Sequence, residues 1–96
     1  MIRNFGDRIT ADIYDGEETR YARKIPHELH GKICRVLDQM NAAPSLEVLK
    51  SPPGNRLERL KGDLKEFWSL RINDQWRIVF KWDRGDAHEV RITDYH

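Results

Sequence analysis

The sequence predicts an α+β fold: an N-terminal strand and two helices packed on a mostly antiparallel sheet of three to five strands. Three observations lead to this prediction. A long amphipathic pattern lies in the first half, alternating apolar residues fill the second half, and short turn signals separate the alternating runs. A chain of 96 residues has room for one hydrophobic core, so we expect residues 1–96 to form a single domain.

The N-terminal segment contains a short strand and a short helix. Residues 2–5 alternate between apolar and polar types, which predicts the strand. Asp7 can cap a helix over about residues 8–14, and Asp15-Gly16 provides the ending signal.

The clearest element is an amphipathic helix of about four turns. Pro26 fits its first turn, and Asn41 to Pro44 close it. Its apolar residues recur at steps of three and four, as expected for a buried helix face: Leu29, Ile33, Val36, Leu37 and Met40. A loop follows over residues 51–55, and residues 56–60 can form either a strand or a short helix.

The second half predicts three strands in a meander. Turns at residues 73–75 and 83–86 place consecutive strands side by side. The apolar residues of these strands alternate along residues 68–72, along residues 76–82, and through Val90 and Ile92. The sheet face away from the helices then carries Arg71, Arg77 and Lys81. Arg77 is expected beside the strand that ends at His96, which ties the C-terminal tail to the sheet.

The charge distribution is uneven along the chain. The net charge is only +1, but residues 50–84 hold nine basic and five acidic side chains together with all three tryptophans. Such a segment fits either binding to a polyanion or an ordinary solvated sheet face. No apolar run is long enough for a membrane span, and Cys34 is the single cysteine, so we expect a cytoplasmic protein without membrane contact.

A set of polar residues fits the cleavage of RNA without a cofactor. The 2′-hydroxyl of RNA is its own nucleophile, so the protein needs a base, an acid and cations that stabilise the charge on phosphorus. Each residue alone has an ordinary structural explanation, and only the combination points to catalysis. The candidates are Lys61, Arg71, Arg77, Asp94, Tyr95 and His96. His27 and His30 lack a completing ligand, so we predict no metal site, and we expect Cys34 to be packed.

The sequence resembles HigB-type toxins, the host-inhibition or plasmid maintenance killer branch of the RelE/ParE superfamily. The similarity runs along the whole chain, and the combination of R-I-N-D-Q-W-R-I with a terminal D-Y-H is specific to that branch. The matching stretches are residues 1–5, 51–58, 60–63, 68–78 and 94–96.

The resemblance implies a RelE-like fold and cleavage of translated messenger RNA on the ribosome, without metal. It also implies a HigA-type helix-turn-helix antitoxin as partner, with operator DNA reached only through the toxin–antitoxin complex. Carried over by position, Lys61 and Arg77 contact the phosphate. We also expect Arg56, Arg71 and Lys81 to contact RNA. His96 then transfers a proton, Asp94 is its partner or the base itself, and Tyr95 positions the substrate or stacks on a base.

One position departs from the pattern. Some relatives have a histidine three residues before the matching lysine, where this chain has Glu58. The identities of acid and base therefore stay open. Two alternatives also stay open: a ParE-like inhibitor of gyrase that cuts no RNA, and a degenerate toxin that only binds its antitoxin.

Overall fold

The computed structural model describes residues 1–51 and 53–94. Within these ranges the chain forms two α-helices, four β-strands and several short 3₁₀ turns. The helices are α1 (Arg8–Tyr14) and α2 (His30–Ala42), and the strands are β1 (Glu58–Arg59), β2 (Phe67–Arg71), β3 (Trp76–Asp83) and β4 (Asp86–Asp94). The predicted α+β fold is confirmed.

The sheet is antiparallel, with the strands in the order β1-β2-β3-β4. The ambiguous segment at residues 56–60 contains the short strand β1. The predicted N-terminal strand is not a regular strand, because Ile2 and Phe5 make single parallel bridges to Ala87 and Val90. The extended N-terminal segment therefore lies along the side of β4 that β3 does not occupy.

Helix α1 begins where the sequence predicts, because the side chain of Asp7 caps it. Asp7 Oδ1 accepts a hydrogen bond of 2.9 Å from the backbone N–H of Thr10. The first turn of the long helix is 3₁₀ rather than α-helical, since a separate 3₁₀ turn covers His27–Leu29 before α2 starts. Four residues of the expected apolar face are buried, namely Ile33, Val36, Leu37 and Met40, and Leu29 is partly buried.

The hydrophobic core lies between the helices and one face of the sheet. Ile33, Leu37 and Met40 of α2 are completely buried against the sheet residues Ile78 and Phe80. The even-numbered residues of β2 and β3 supply this face, because side chains alternate along a strand. The odd-numbered residues face the other way, and the register places Arg71 opposite Arg77 and Phe67 opposite Lys81. The predicted arginine-bearing face is therefore confirmed.

The two hairpins use different turn chemistry. In the first, Asn73 Oδ1 accepts hydrogen bonds from the backbone N–H groups of Gln75 (2.9 Å) and Trp76 (2.8 Å). In the second, Arg84 and Gly85 both have positive φ angles, of 52° and 82°. Two positive φ angles are what a type I′ hairpin turn requires, and the glycine adopts one without strain.

Strand β4 contains a bulge that the N-terminal segment covers. Val79 pairs with Arg91 but Lys81 pairs with His88, so β4 holds one extra residue between these pairs. Glu89 has a φ of 53°, and its N–H donates to Asn4 Oδ1 at 2.7 Å. A Cβ atom on Gly6 would lie 2.9 Å from the Glu89 carbonyl oxygen, so only glycine fits this approach.

Candidate functional site

Arg77 is the central residue of the candidate site, and it is buried although it is charged. Only 5% of its surface is exposed. Its Nε donates to Ser69 Oγ at 3.4 Å, and one terminal nitrogen donates to the carbonyl oxygen of Arg56, also at 3.4 Å. The same terminal nitrogen lies 3.5 Å from a carboxylate oxygen of Glu58. A buried cation needs such partners, and they hold the guanidinium in one orientation.

The sheet register determines which residues surround Arg77. Arg77 pairs with Arg71 on β2 and with Thr93 on β4. Ser69 pairs with Glu58 on β1, one step along the same face. Because directly opposite residues share a face, four strands bring their polar side chains to one region of the sheet.

Arg71 is held by the first hairpin turn. Its guanidinium donates to Asp74 Oδ1 at 2.5 Å, and the carboxylate is fully exposed. This hydrogen bond, with the positive charge of Arg71, lowers the pKa of Asp74. Asp74 is therefore a weaker base than an ordinary aspartate.

An open cavity of about 210 Å³ connects these groups. The described residues that line it are Arg56, Glu58, Arg71, Asn73, Asp74 and Arg77. Three guanidinium groups face two carboxylates, so the cavity is positively charged at neutral pH. Arginine pairs well with phosphate, because its planar fork can donate to two oxygens at once. The cavity is therefore a suitable binding place for an anionic group of phosphate size.

Comparisons with known proteins agree with this geometry. The family described as RelE-like toxin of the type II toxin–antitoxin system HigB matches residues 3–96. The chain belongs to the HigB-like toxin family. A relative named Toxin HigB-1 from Vibrio cholerae is 37% identical over 87 residues, which cover 91% of this chain and 90% of that protein. Endoribonuclease HigB from Proteus vulgaris is 42% identical over 41 residues, or 43% of this chain and 45% of that protein.

Membership of the HigB-like family confirms the recognition made from the sequence. It also confirms that the fold is RelE-like and that the chain is a toxin of the type II toxin–antitoxin class. An uncharacterised protein from Haemophilus influenzae, 33% identical over 72 residues, is a further relative; the match covers 75% of this chain and 71% of that protein.

Two of the predicted cations lie away from the cavity lining. Lys61 is exposed and precedes the 3₁₀ turn Gly62–Leu64. Lys81 lies further along the arginine face, 2.9 Å from a Glu89 carboxylate oxygen and 3.8 Å from one of Glu66. The hydrogen bond that Lys81 donates to the Glu89 carboxylate raises the pKa of Lys81. Its charge is thus already balanced, and an RNA phosphate would have to compete with Glu89 for it.

Asp94 is the last residue of β4 and lies beside the first hairpin. It pairs with Trp76 in the register, one position along from the pair formed by Arg77 and Thr93. Gln75 Nε2 donates to its carboxylate at 3.2 Å. Tyr95 and His96 lie outside the described residues, so the convergence of the acid, phenol and imidazole on Arg77 stays a prediction.

The sequence reading missed three residues of the cavity. Asn73 and Asp74 were interpreted only as a turn, and Glu58 only as a departure from the family pattern. Ser69 was also missed, although it lies two residues before Arg71 in a predicted strand and so had to share its face.

The structure also describes the cysteine and the two histidines that the sequence analysis considers. Cys34 is partly buried and its Sγ lies 3.3 Å from the carbonyl oxygen of Ile13, and burial raises the pKa of its thiol. His27 and His30 lie beside each other, with ring centroids 5.0 Å apart. Residues 1–51 and 53–94 contain no group of three or more His, Cys, Asp or Glu side chains that could hold a metal ion.

Proposed function

We propose that this protein is an endoribonuclease toxin that cleaves translated messenger RNA on the ribosome and thereby arrests growth. The observation that carries the proposal is the cavity lined by Arg56, Arg71 and Arg77, which suits a phosphate. The name of the Proteus vulgaris relative, Endoribonuclease HigB, supports the same reaction class. Residues 1–96 would form one toxin domain, and this domain would act in the cytoplasm.

The reaction would be an attack of the RNA 2′-hydroxyl on the neighbouring phosphorus. Arg77 and Arg71 would bind the phosphate oxygens and stabilise the extra negative charge that forms during the attack. Lys61 would provide a further positive charge. His96 would transfer a proton, Asp94 would orient it or act as base, and Tyr95 would position the substrate. No metal or other cofactor is needed for this chemistry.

Dependence on the ribosome is supported by the charges of the site. Among the residues that the structure describes, three cations and two anions line the cavity, and the whole chain has a net charge of only +1. A protein that neutralises few phosphates holds free RNA weakly at cellular salt. The ribosome would therefore supply both the position of the message and much of the binding energy.

The antitoxin would be a HigA-type helix-turn-helix protein that binds the toxin and suppresses its activity. Membership of a type II toxin–antitoxin family supports an antitoxin partner. Contact with operator DNA would then occur only through the complex.

Neither helix within residues 1–51 and 53–94 has the length and apolar content that a bilayer crossing requires.

The experiment that tests the proposal uses purified full-length toxin and ribosomes carrying a defined message. We expect cleavage of the bound message, little cleavage of the same RNA without ribosomes, and products with 2′,3′-cyclic phosphate and 5′-hydroxyl ends. Protein stripped with a chelator should cut at the same rate. A message with a single 2′-deoxy nucleotide at the cleaved position should survive.

Matched controls separate this activity from the alternatives. Removal of residues 94–96 should abolish cleavage and growth arrest while antitoxin binding persists. Retained toxicity in that variant would contradict the catalytic role of the tail. Inhibition of gyrase supercoiling by a protein that leaves the message intact would instead favour the ParE-like alternative.

A further inference from the structure

Glu58 lines the cavity and is also one of the partners of the buried Arg77. One of its carboxylate oxygens lies 3.5 Å from the Arg77 terminal nitrogen. Its side chain is 53% exposed, whereas that of Arg77 is 6% exposed. The register holds Glu58 opposite Ser69, the residue that accepts a hydrogen bond from Arg77. The sheet therefore fixes an accessible carboxylate beside a fixed guanidinium.

We propose that Glu58 is the general base that removes the proton from the attacking 2′-hydroxyl. This inference rests on the proposed RNA cleavage. A guanidinium nitrogen lies about 2.8 Å from the phosphate oxygen that it binds. The attacking 2′-oxygen must come within about 3–3.5 Å of the phosphorus in the same group. A phosphate bound to Arg77 on the side that faces Glu58 would bring its attacking 2′-hydroxyl close to the Glu58 carboxylate.

The chemical step balances without a cofactor. The 2′-hydroxyl proton moves to the Glu58 carboxylate as the 2′-oxygen forms its bond to phosphorus. The bond from phosphorus to the 5′-oxygen breaks, and an acid gives that oxygen a proton. His96 is the acid in the function proposed above. The products are a 2′,3′-cyclic phosphate and a 5′-hydroxyl, and Glu58 returns its proton to solvent before the next turnover.

The other carboxylates near the cavity are less suited to this role. Asp74 lies in the hairpin turn outside the strands, and its Oδ1 already accepts a hydrogen bond from Arg71. Asp94 pairs with Trp76, so by strand alternation it belongs to the face opposite the one that carries Arg77. It accepts a hydrogen bond from Gln75 instead. Of Glu58, Asp74 and Asp94, Glu58 is the one that strand pairing places on the same face as Arg77.

The test compares three variants in single-turnover cleavage of ribosome-bound message between pH 5 and pH 8. Glu58→Gln keeps the shape of the side chain but cannot accept the proton. Asp74→Asn removes the same charge from the same cavity. Glu47→Gln removes an exposed carboxylate that pairs with Lys50 and does not line the cavity. Thermal unfolding and ribosome sedimentation check that each variant folds and binds.

A base contributes about 100-fold to 10,000-fold to such a rate. We expect Glu58→Gln to lose that much and to lose the rise of rate with pH on the acid side. Asp74→Asn should keep the rise of cleavage rate with pH. Its rate should change only because the loss of a negative charge tightens RNA binding. Glu47→Gln should match the wild type.

Two outcomes would overturn the inference, and they differ from each other. If Glu58→Gln cuts as fast as the wild type, or keeps the acid-side dependence on pH, Glu58 is only a counter-ion of Arg77. If the wild type itself leaves the message intact, the proposed function fails and the role of Glu58 fails with it.

Discussion

The two faces of the central sheet both bury side chains, but the buried residues differ in chemistry. On the helix side, Leu70, Ile78 and Phe80 are completely buried against other apolar groups. On the opposite face, Ser69 and Arg77 are buried about as deeply, at 0% and 5% exposure, yet both are polar. Burial alone therefore does not mark a residue as part of the core. The chemistry of the neighbours shows whether a buried side chain serves stability or a site.

The largest effect on stability is expected on the helix side. Phe80→Ala removes a fully buried ring and leaves a cavity, which costs about 3–5 kcal/mol of unfolding free energy. That is a large part of the stability of a typical domain. Denaturant titration measures the loss, and Val79→Ala, which removes a smaller buried side chain from the other face of β3, is the comparison. An equal loss in both variants would contradict the difference between the faces.

The largest effect on activity is expected on the arginine face. Arg77→Met should reduce cleavage about 100-fold to 1,000-fold, because a pre-positioned donor to the charged phosphate is lost. Its stability should change little, since a buried charge is replaced by an apolar chain of similar size and the half-exposed Glu58 can be hydrated.

Arg23→Met provides the control for Arg77→Met, because Arg23 is an exposed arginine whose loss changes the net charge equally. Cleavage assays and melting curves of both variants complete this test. Unfolding of Arg77→Met at ordinary temperature would show that Arg77 is structural rather than functional.

A smaller effect is expected at the residue that orients Arg77. Ser69→Ala removes the acceptor of the Arg77 Nε hydrogen bond, at a cost of about 1 kcal/mol. That corresponds to roughly a threefold to tenfold loss in kcat/KM. Ser69→Thr keeps an acceptor and should recover part of the loss. Identical kinetics for wild type and Ser69→Ala would mean that other contacts orient Arg77.

The smallest effect concerns alkaline pH on the helix side. Burial, together with the hydrogen bond to Asp38, raises the pKa of Tyr14 from 10.0 to about 12. In the unfolded chain Tyr14 ionises first, so the folded state binds more protons between these values. The stabilisation is complete below pH 10 and is lost as the pH rises towards 12. Melting temperatures should show this slope in the wild type and less of it in Tyr14→Phe.

Most of the fold could be predicted because its signals are local. The Asp7 cap, the apolar steps of α2 and the turns at residues 73–75 and 83–86 all appear in short stretches of sequence. The bulge at Glu89 could not be predicted, since it depends on a close approach by Gly6 from the other end of the chain.

The site was predictable only in part. Alternation placed Arg71 and Arg77 on one face, but it suggested an outward arginine where the structure has a buried one. The difference arises from Ser69 and the backbone of Arg56, which surround the guanidinium. Pairing between β1 and β2 determines the position of Glu58, and a two-residue strand leaves too short a pattern to reveal that pairing.

The position of β4 also has a consequence for how the toxin is made. β4 lies between β3 and the N-terminal segment, and its contacts with Asn4 join residues 85 positions apart. Every other described element leaves the ribosome before β4 does. Contacts of such long range are formed late and slow the folding reaction. We therefore expect the nascent chain to be inactive against the ribosome that synthesises it until β4 has paired with β3 and with the N-terminal segment.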